Sequence, residues 1–420
     1  MKVLFVHQNF PGQFKHLAPA LVSAGHEVRA LAIQGNSLPG VHFQRYSLTR
    51  GTSQNIHPLA VEFESKVIRG EACALAMLKL RKDGFVPDIV VAHPGWGETL
   101  FVKDVWPDTP LLSFLEFYYA PRGLDMGFDP EFSRKAKSSG DLAQLAEDAR
   151  LRVKNANNLL SLETMDWGLC PTEWQKSTLP AVFQDRVSVI FDGIDTDLVR
   201  PDPAAQLTLN PGERVVKAGD EIITFVNRNL EPYRGYHIFM RALPEIQRLR
   251  PNALVIIVGG DEVSYGAKPP PGTTWKEFFL KEVRPRLDMS RVRFVGKVPY
   301  MAFLRLLQVS ACHVYLTYPF VLSWSCLEAM SAGCLVVGSR TPPVEEVIEH
   351  GKNGLLVDFF DVEGLARTVA EVLEHPERFV SLKEAARETA MKRYDLRRVC
   401  LPRQIELVNA LASGHLPVSS

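Results

Sequence analysis

The chain has 420 residues and a mass of 47.0 kDa, which exceeds the roughly 250–300 residues at which a single hydrophobic core stops growing. Hydrophobic residues make up 46% and charged residues 23%, so the composition is that of a globular protein and excludes a disordered or fibrous one. The 48 basic side chains balance 48 acidic ones, which excludes the basic surface of a non-specific nucleic-acid-binding protein. Small-molecule enzymes and binding proteins remain.

Neither a membrane-spanning segment nor a signal peptide is predicted. No apolar run approaches the ~18 residues that cross a bilayer. The opening MKVLFVHQNF has only four consecutive apolar residues before His7, too few for a signal peptide. The six cysteines stand singly, without the paired spacing of a zinc site, and are predicted to be reduced structural thiols. These features favour a cytoplasmic protein.

Short apolar runs alternate with longer helical patterns along the whole chain, which is typical of parallel sheets covered by helices. In the first half, strands are predicted over residues 2–6, 27–33, 88–92, 111–115 and 187–190. A helix over residues 14–24, ended by Gly25, is expected after the first strand. In the second half, strands are predicted over residues 222–226, 253–258, 292–295, 313–316, 335–337 and 355–357. Two doubly wound α/β domains are therefore predicted.

Two loops of the first half follow strands on the side where doubly wound domains bind ligands. Gly12 follows the first strand and permits a close backbone approach to a phosphate or carboxyl group, or serves only the geometry of the turn. His93 follows the strand over residues 88–92, either as a site residue or as a structural histidine.

Residues 118–148 and 261–274 are predicted to be inserted loops. The first contains a basic cluster, Arg134, Lys135 and Lys137. Such a cluster either is solvated or holds an anionic or membrane-associated acceptor.

A turn-rich stretch with Pro201 and Pro203 separates the two halves and predicts a hinge. The boundary is placed near residue 195, which gives an N-terminal domain over residues 1–195 and a C-terminal domain over residues 196–394. Residues 395–420 are predicted to be a final helix that Pro402 kinks or interrupts. The sequence Asp195-Thr196-Asp197 resembles a metal-binding Asp-x-Asp, but its place before the prolines favours turn and capping chemistry.

Arg228 and Arg234 follow the first strand of the second half. A guanidinium stays charged at any working pH and can bond two phosphate oxygens at once, so this pair is suited to a diphosphate. The alternative is a pair of surface arginines that form ion pairs with acids such as Glu231.

A helix is predicted to begin at Ser323–Ser325 and to end at Gly333. The amide groups at such a helix start can bind phosphate oxygens. Glu328 lies about one turn inside this helix among apolar residues, where a carboxylate is costly to bury unless it is paired. Either a ribose diol or a nearby arginine would pair it.

Four ordered motifs are similar to those of retaining glycosyltransferases of family 4. They are VIFDGIDTDLVRP at residues 189–201, the stretch from Arg228 to Arg234, LEAMSAG at 327–333 and VIEHGKNGLLV at 347–357. The resemblance implies a GT-B architecture, in which two Rossmann-like domains face each other across a cleft and the second domain holds most of a nucleotide sugar. It also implies that the final helix crosses back onto the N-terminal domain.

The resemblance also implies roles for individual residues. Arg228 and Arg234 would neutralise the leaving diphosphate, and Glu116 or His93 would orient the acceptor hydroxyl or the donor sugar. Glu328 would bond the ribose, while the backbone near Lys297 would receive the base. The donor-binding residues implied in this way are Gly12, Lys297, Val298, Phe320, Ser323, Trp324, Ser325 and Glu328.

Three positions depart from the family pattern. Phe320 stands eight residues before Glu328, where the family usually has a glutamate that contacts the donor sugar. Arg234 replaces a common lysine, which preserves the charge and changes the geometry. Glu116 stands after the fourth strand, where a His or Asp near the reacting sugar is common, and it would substitute for that residue.

The resemblance predicts a retaining, metal-independent, hexosyltransferase-like enzyme without a cofactor. It would move a sugar from a UDP- or GDP-linked donor to a saccharide or lipid-linked saccharide, in polysaccharide or glycolipid assembly. No nucleic-acid partner is expected. Peripheral contact with the inner face of a membrane is left open as an alternative. The alternatives are another GT-B enzyme, such as a sugar-nucleotide epimerase or a phosphorylase, and a non-catalytic sugar-nucleotide-binding protein. The donor base, the sugar, the acceptor and the oligomeric state are left open.

Overall fold

The computed structural model describes residues 1–132, 141–209 and 215–416, which form two compact units. Unit 1 comprises residues 1–126, 141–192 and 397–416, and unit 2 comprises residues 127–132, 193–209 and 215–396. The predicted basic cluster of Arg134, Lys135 and Lys137 lies outside the described residues. Among the described residues, no helix has both the length and the apolar character needed to cross a membrane.

Unit 1 contains a seven-stranded parallel sheet with the order β3-β2-β1-β4-β5-β6-β7. Its strands are β1 (Lys2–Val6), β2 (Glu27–Ala32), β3 (His42–Arg45), β4 (Ile89–Ala92), β5 (Leu111–Phe114), β6 (Trp167–Cys170) and β7 (Val187–Val189). Because β1 lies between β2 and β4, the strand order reverses at β1, and the loops after β1 and β4 lie side by side.

Helices cover this sheet, and the central strands β1 and β4 are buried almost throughout. The helices are α1 (Leu17–Ser23), α2 (Val61–Lys82), α3 (Val102–Val105), α4 (Asp141–Lys154), α5 (Ala156–Thr164), α6 (Glu173–Ser177), α7 (Ala181–Gln184) and the C-terminal α15 (Leu401–Ala412). Helix α2 has acidic residues in its first turn and basic residues in its last, which matches the helix dipole. Gln404 of α15 donates to the carbonyl oxygen of Phe191 at 3.0 Å, so α15 packs within unit 1.

Unit 2 contains a six-stranded parallel sheet with the order β10-β9-β8-β11-β12-β13. Its strands are β8 (Ile222–Asn229), β9 (Leu254–Gly260), β10 (Val292–Gly296), β11 (Cys312–Tyr315), β12 (Leu335–Ser339) and β13 (Leu355–Val357). Its helices are α8 (Tyr236–Leu249), α9 (Trp275–Val283), α10 (Tyr300–Val309), α11 (Trp324–Ser331), α12 (Pro342–Glu345), α13 (Val362–Glu374) and α14 (Val380–Tyr394). Here the order reverses at β8, so the loops after β8 and β11 are neighbours.

The two sheets confirm the predicted pair of doubly wound α/β domains, with four local differences. Strands β3 and β6 were not predicted. Helix α4 begins at Asp141, inside the stretch predicted as a loop over residues 118–148. The helix predicted over residues 14–24 is divided into a 3-10 turn, Gly12–Lys15, and α1. A π-helical turn, Leu396–Cys400, precedes α15, and Pro402 lies in the first turn of α15, where a missing N–H costs nothing.

Candidate functional site

In unit 1, polar side chains from three loops meet at the carboxyl edge of the sheet. His7 and Gln13 follow β1, His93 follows β4, and Glu116 follows β5. The structure thus brings together His93 and Glu116, both predicted site residues, and adds His7 and Gln13, which were not predicted.

A chain of hydrogen bonds connects His7 to Glu116. The backbone N–H of Asn9 donates to His7 Nδ1 at 2.9 Å, so the neutral ring carries its proton on Nε2. That nitrogen lies 2.8 Å from Gln13 Oε1 and donates to it. The amide nitrogen of Gln13 in turn donates to Glu116 Oε1 at 3.4 Å. His7 and Gln13 therefore orient one oxygen of the Glu116 carboxylate.

His93 faces the other oxygen of the same carboxylate. The backbone N–H of Gly95 donates to His93 Nδ1 at 3.1 Å, which places the proton of a neutral ring on Nε2. His93 Nε2 lies 3.6 Å from Glu116 Oε2, and the ring stacks on Trp96 with 4.5 Å between centroids. The geometry equips His93 to donate a hydrogen bond towards Glu116 or a hydroxyl group held beside it.

Stability should fall as the pH is lowered because His7 resists protonation. Burial, together with the nearby His93, lowers the pKa of His7 from 6.5 to about 3. Between these values the unfolded chain binds a proton that the folded chain does not, so the unfolding free energy falls by up to about 1.4 kcal/mol per pH unit. His7→Gln should reduce this slope in urea unfolding measured from about pH 7 to about pH 5.

Equal slopes in the wild type and in His7→Gln would contradict this expectation. His313, whose pKa burial also lowers to about 3, acts in the same direction in both proteins, whereas Glu231, whose pKa burial raises to about 7, acts in the opposite direction in both.

Gly12 serves the turn itself. Its φ is +50°, and a Cβ at this position would lie 2.3 Å from His7 Nε2. Only glycine allows the turn to pass over the His7 ring, so the structure accounts for Gly12 through backbone geometry. Its predicted contact with the donor stays a prediction.

In unit 2, Arg234 is buried where the loops after β8 and β11 meet. Its side chain is 6% exposed and donates from Nη1 to Thr317 Oγ1 at 2.8 Å and to the carbonyl oxygen of Val321 at 2.9 Å. Arg228, near the end of β8, is exposed. Among residues 1–132, 141–209 and 215–416, neither guanidinium has a carboxylate within 4.0 Å. Arg234 is therefore not a surface arginine, and within the described part of the chain neither arginine pairs with Glu231 or with another acid.

Glu231, the acid proposed for such an ion pair, has other partners. It is 1% exposed, and its carboxylate accepts the backbone N–H of Ser264 at 3.2 Å and that of Tyr265 at 2.9 Å. Burial raises its pKa to about 7, whereas these amides and the nearby Arg234 oppose the increase. Glu231 thus fixes the loop after β9.

Phe320 forms part of an aromatic surround for Arg234. Its ring, 5% exposed, lies 4.8 Å from Tyr265 and 5.4 Å from Tyr233, measured between centroids. The guanidinium carbon of Arg234 lies 5.3 Å from the Tyr265 centroid and 5.8 Å from that of Phe320. These cation–π contacts stabilise the guanidinium without neutralising its charge.

The amides at the start of α11 are partly occupied by the protein. The N–H of Ser323 donates to the hydroxyl of Tyr315 at 2.8 Å, and the N–H of Ser325 donates to Ser323 Oγ at 3.4 Å. Trp324 is the first residue of the helix. Phosphate binding by the amides of Ser323 and Ser325 would require these two bonds to be exchanged, because each amide has a single proton.

Glu328 is 6% exposed within α11, and its Oε1 accepts the hydroxyl of Tyr300 at 2.7 Å. Tyr300 begins α10 and is 45% exposed. The carboxylate therefore lies behind a side chain that opens to solvent and that could give way to a ligand hydroxyl. Tyr300 was not predicted, since its contact depends on how α10 packs against α11.

A pocket of about 360 Å³ opens in unit 2 beyond the carboxyl ends of β8, β9 and β10. Gly260, Asp261, Phe294 and Lys297 are among its lining residues. Lys297 Nζ lies 2.7 Å from Glu262 Oε2 at the pocket's rim. Val298, the other residue predicted to receive the base, is not among the lining residues. The pocket combines an aromatic ring, backbone groups and carboxylates, which suits a heterocyclic base.

One group of three potential metal ligands occurs in the described part of the chain: Asp129, Glu131 and His237, all in unit 2. Protein partners already engage it. Tyr318 donates to Asp129 Oδ2 at 2.7 Å, and Arg241 donates to both oxygens of Glu131 at 2.6 and 2.8 Å. His237 Nε2 lies 2.9 Å from Asp129 Oδ2. We assign these three residues a structural role, in which they pack residues 127–132 against the rest of unit 2.

Two protein-family models match the sequence. Residues 24–199 match the model described as "Glycosyl transferase family 4 group", and residues 210–389 match "Glycosyl transferases group 1".

Curated proteins and solved structures show the same similarity. Glycogen synthase of Mycobacterium tuberculosis is 24% identical over 94% of this chain and 91% of its own length. A GDP-mannose-dependent alpha-(1-6)-phosphatidylinositol monomannoside mannosyltransferase of the same species is 31% identical over 53% of this chain and 57% of its own length. The crystal structure of Anabaena HepE in complex with UDP has a TM-score of 0.66, 15% identity, and coverage of 98% of this chain and 100% of HepE.

Proposed function

This chain belongs to the glycosyl transferases of group 1 and has the GT-B fold, and from this premise we propose that it is a retaining transferase acting on a nucleotide-diphosphate sugar. The acceptor would be a hydroxyl group of a saccharide or lipid-linked saccharide, as in polysaccharide or glycolipid assembly. The observation that carries the proposal is the pair of guanidinium groups, Arg228 and Arg234, without a carboxylate within 4.0 Å among the described residues.

Unit 2 would bind the donor. Leu230 and Glu262 line the pocket, and the charge of Arg228 lowers the pKa of Glu262; both observations support a position of the arginine near the pocket. A base in the pocket and a diphosphate on the two arginines would match a nucleoside diphosphate. The similar HepE structure contains UDP, and the similar mannosyltransferase is GDP-mannose-dependent, so both nucleotides are suitable probes.

Unit 1 would bind the acceptor beside His93 and Glu116. As the bond between the sugar C1 and the diphosphate oxygen breaks, Arg228 and Arg234 would stabilise the negative charge on the leaving group. The acceptor oxygen would bond to C1 from the same face, and its proton would pass to a departing phosphate oxygen. The configuration at C1 would thus be retained. The two arginines would supply the charge that a metal ion provides in other transferases, so we propose a metal-independent reaction.

The test has two stages. Calorimetric titration with UDP and GDP identifies the base, and nucleotide release is then followed with UDP-glucose and GDP-mannose, with and without saccharide acceptors. Acceptor-dependent release that yields a product with the donor's anomeric configuration would support the proposal. Release without an acceptor would favour hydrolysis or epimerisation, and binding without turnover over a broad panel would favour a non-catalytic protein.

Filling the pocket should weaken nucleotide binding. A Cβ at Gly260 would lie 2.4 Å from Lys297 Cε and 2.5 Å from Asn229 Oδ1. Gly260→Val adds a branched side chain there, and overpacking of this kind costs about 1–3 kcal/mol. We expect UDP or GDP to bind about tenfold more weakly in calorimetric titration.

Gly51→Val is the matched control, because a Cβ at Gly51 would have no heavy atom within 4 Å. If Gly260→Val is folded by circular dichroism and binds the nucleotide with unchanged affinity, the base binds outside this pocket.

A further inference from the structure

Two lysines of unit 1 lie half-buried beside the loop that follows β4. Lys66 on α2 donates from Nζ to the carbonyl oxygen of Gly95 at 2.8 Å. Lys154 ends α4, and its Nζ lies 3.8 Å from the centroid of the Tyr119 ring. Asn155 and Tyr119 exchange two hydrogen bonds of 2.6 and 3.0 Å, which fixes the backbone next to Lys154.

Close backbone packing brings Lys66 to this loop. A Cβ at Gly97 would lie 2.3 Å from the carbonyl oxygen of Lys66, and a Cβ at Gly70 would lie 2.7 Å from that of Gly97. From the other side, Asn157 of α5 donates to the carbonyl oxygen of Pro94 at 3.0 Å. The loop is thus clamped between α2 and α5, and the Lys66 ammonium contacts it two residues after His93.

The two ammonium groups are not neutralised by direct ion pairs. Among the described residues, neither has a carboxylate within 4.0 Å. Burial lowers the pKa of each lysine. Arg69 and Lys154 add to the effect on Lys66, Glu98 opposes it there, and Glu62 opposes it for both lysines. Asp125 also acts on Lys154, while Glu147 pairs with Arg150 at 2.5 Å.

Lys154 repels Lys66 electrostatically, and two partly desolvated cations of this kind cost free energy unless an anion binds them. A doubly charged phosphate accepts several charge-assisted hydrogen bonds and suits two ammonium groups. We propose that Lys66 and Lys154 bind a phosphate group of the acceptor and thereby hold its reacting hydroxyl beside His93 and Glu116. The proposal rests on the proposed transferase function and specifies its acceptor as a phosphorylated compound.

Binding of phosphate probes tests the proposal without transferase turnover. The probes are inorganic phosphate and glucose 6-phosphate for a soluble acceptor, and phosphatidylinositol vesicles, compared with phosphatidylcholine vesicles, for a lipid acceptor. Lys66→Gln and Lys154→Gln keep a hydrogen-bond donor and remove the charge. Each should weaken binding of the preferred probe about tenfold, because hydrogen bonds to charged groups are the stronger ones.

Lys79→Gln is the matched control, since Lys79 lies on the same helix and is exposed. It should leave phosphate affinity unchanged. The double variant Lys66→Gln/Lys154→Gln should lose phosphate binding and keep a melting temperature at or above that of the wild type, because a repulsion is removed.

Wild-type affinity in the double variant, or no binding of any phosphate probe by the wild type, would overturn the proposal. Preference for glucuronate over every phosphate probe would overturn the phosphate assignment. UDP binding is measured in parallel because it separates a failure of the lysine site from a failure of the proposed transferase function. A wild type that binds UDP but no phosphate probe counts against the lysine site alone, whereas a wild type that binds a phosphate probe but neither UDP nor GDP counts against the transferase function.

Discussion

Arg234→Met is expected to lower sugar-nucleotide turnover about 100- to 1000-fold, corresponding to about 2.7–4 kcal/mol of transition-state stabilisation. Arg234 is 6% exposed and is held by Thr317, Val321 and two aromatic rings, so its charge acts in a weakly screened environment. A preorganised cation of this kind stabilises a leaving diphosphate without rearrangement. The measurement is kcat/KM for nucleotide release with the donor and acceptor identified in the release assay.

Further variants separate the effect of the Arg234 charge from that of its packing and test Arg228. Methionine leaves the Val321 carbonyl without its donor and is expected to lower the melting temperature as well. Arg234→Lys keeps the charge and should retain more turnover than Arg234→Met, and Arg228→Gln should lower turnover in the same direction. Arg248→Gln, at the exposed end of α8, is the control and should have no effect on turnover. Unchanged nucleotide affinity and turnover in both Arg228→Gln and Arg234→Met would refute the diphosphate assignment.

The sequence predicted the sheet architecture because buried parallel strands are short apolar runs. β1 and β13 have the predicted limits, and the other predicted strands differ by a few residues at their ends. β3, His42–Arg45, escaped prediction because an edge strand with polar side chains has no apolar run. β6, Trp167–Cys170, escaped prediction because a glycine interrupts its apolar run.

Helix α4 shows a different limit. Its sequence, DLAQLAEDARLRVK, has strong helix formers throughout, but it adjoins a polar stretch, and residues 141–148 were included in the loop predicted over residues 118–148. The residue at which α4 begins depends on how the helix packs against α2 and α5. The spacing of apolar residues in the local sequence carries no information about that packing.

Site residues were predicted where they belong to a recognisable sequence motif. They were missed where only tertiary contacts bring them to the site. His7 and Gln13 lie beside Glu116 only because β1, β4 and β5 are neighbours in the sheet. The burial of Arg234 likewise depends on the loop after β11 folding over it. Such contacts require the strand order, which a single sequence constrains only through general rules of topology.

Glu328→Gln is expected to weaken UDP or GDP binding by about 1.5–3 kcal/mol, or about 10- to 150-fold, the usual range for a hydrogen bond to a charged group. Glu328 is 6% exposed, and its bond to the hydroxyl of Tyr300, a residue that is itself 45% exposed, can be exchanged for one to a ribose hydroxyl. Calorimetric titration of the wild type and the variant measures the loss.

A nucleotide that lacks the 2′-hydroxyl tests whether Glu328 bonds to the ribose. Wild-type protein should bind 2′-deoxy-UDP more weakly than UDP, whereas Glu328→Gln should discriminate less between the two, because the interaction is lost in either case. Tyr300→Phe removes the competing hydroxyl and should leave UDP affinity unchanged or higher, since the carboxylate becomes available to the ribose. If Glu328→Gln kept the wild-type preference for UDP, Glu328 would be a structural residue paired with Tyr300, and the ribose would bind elsewhere.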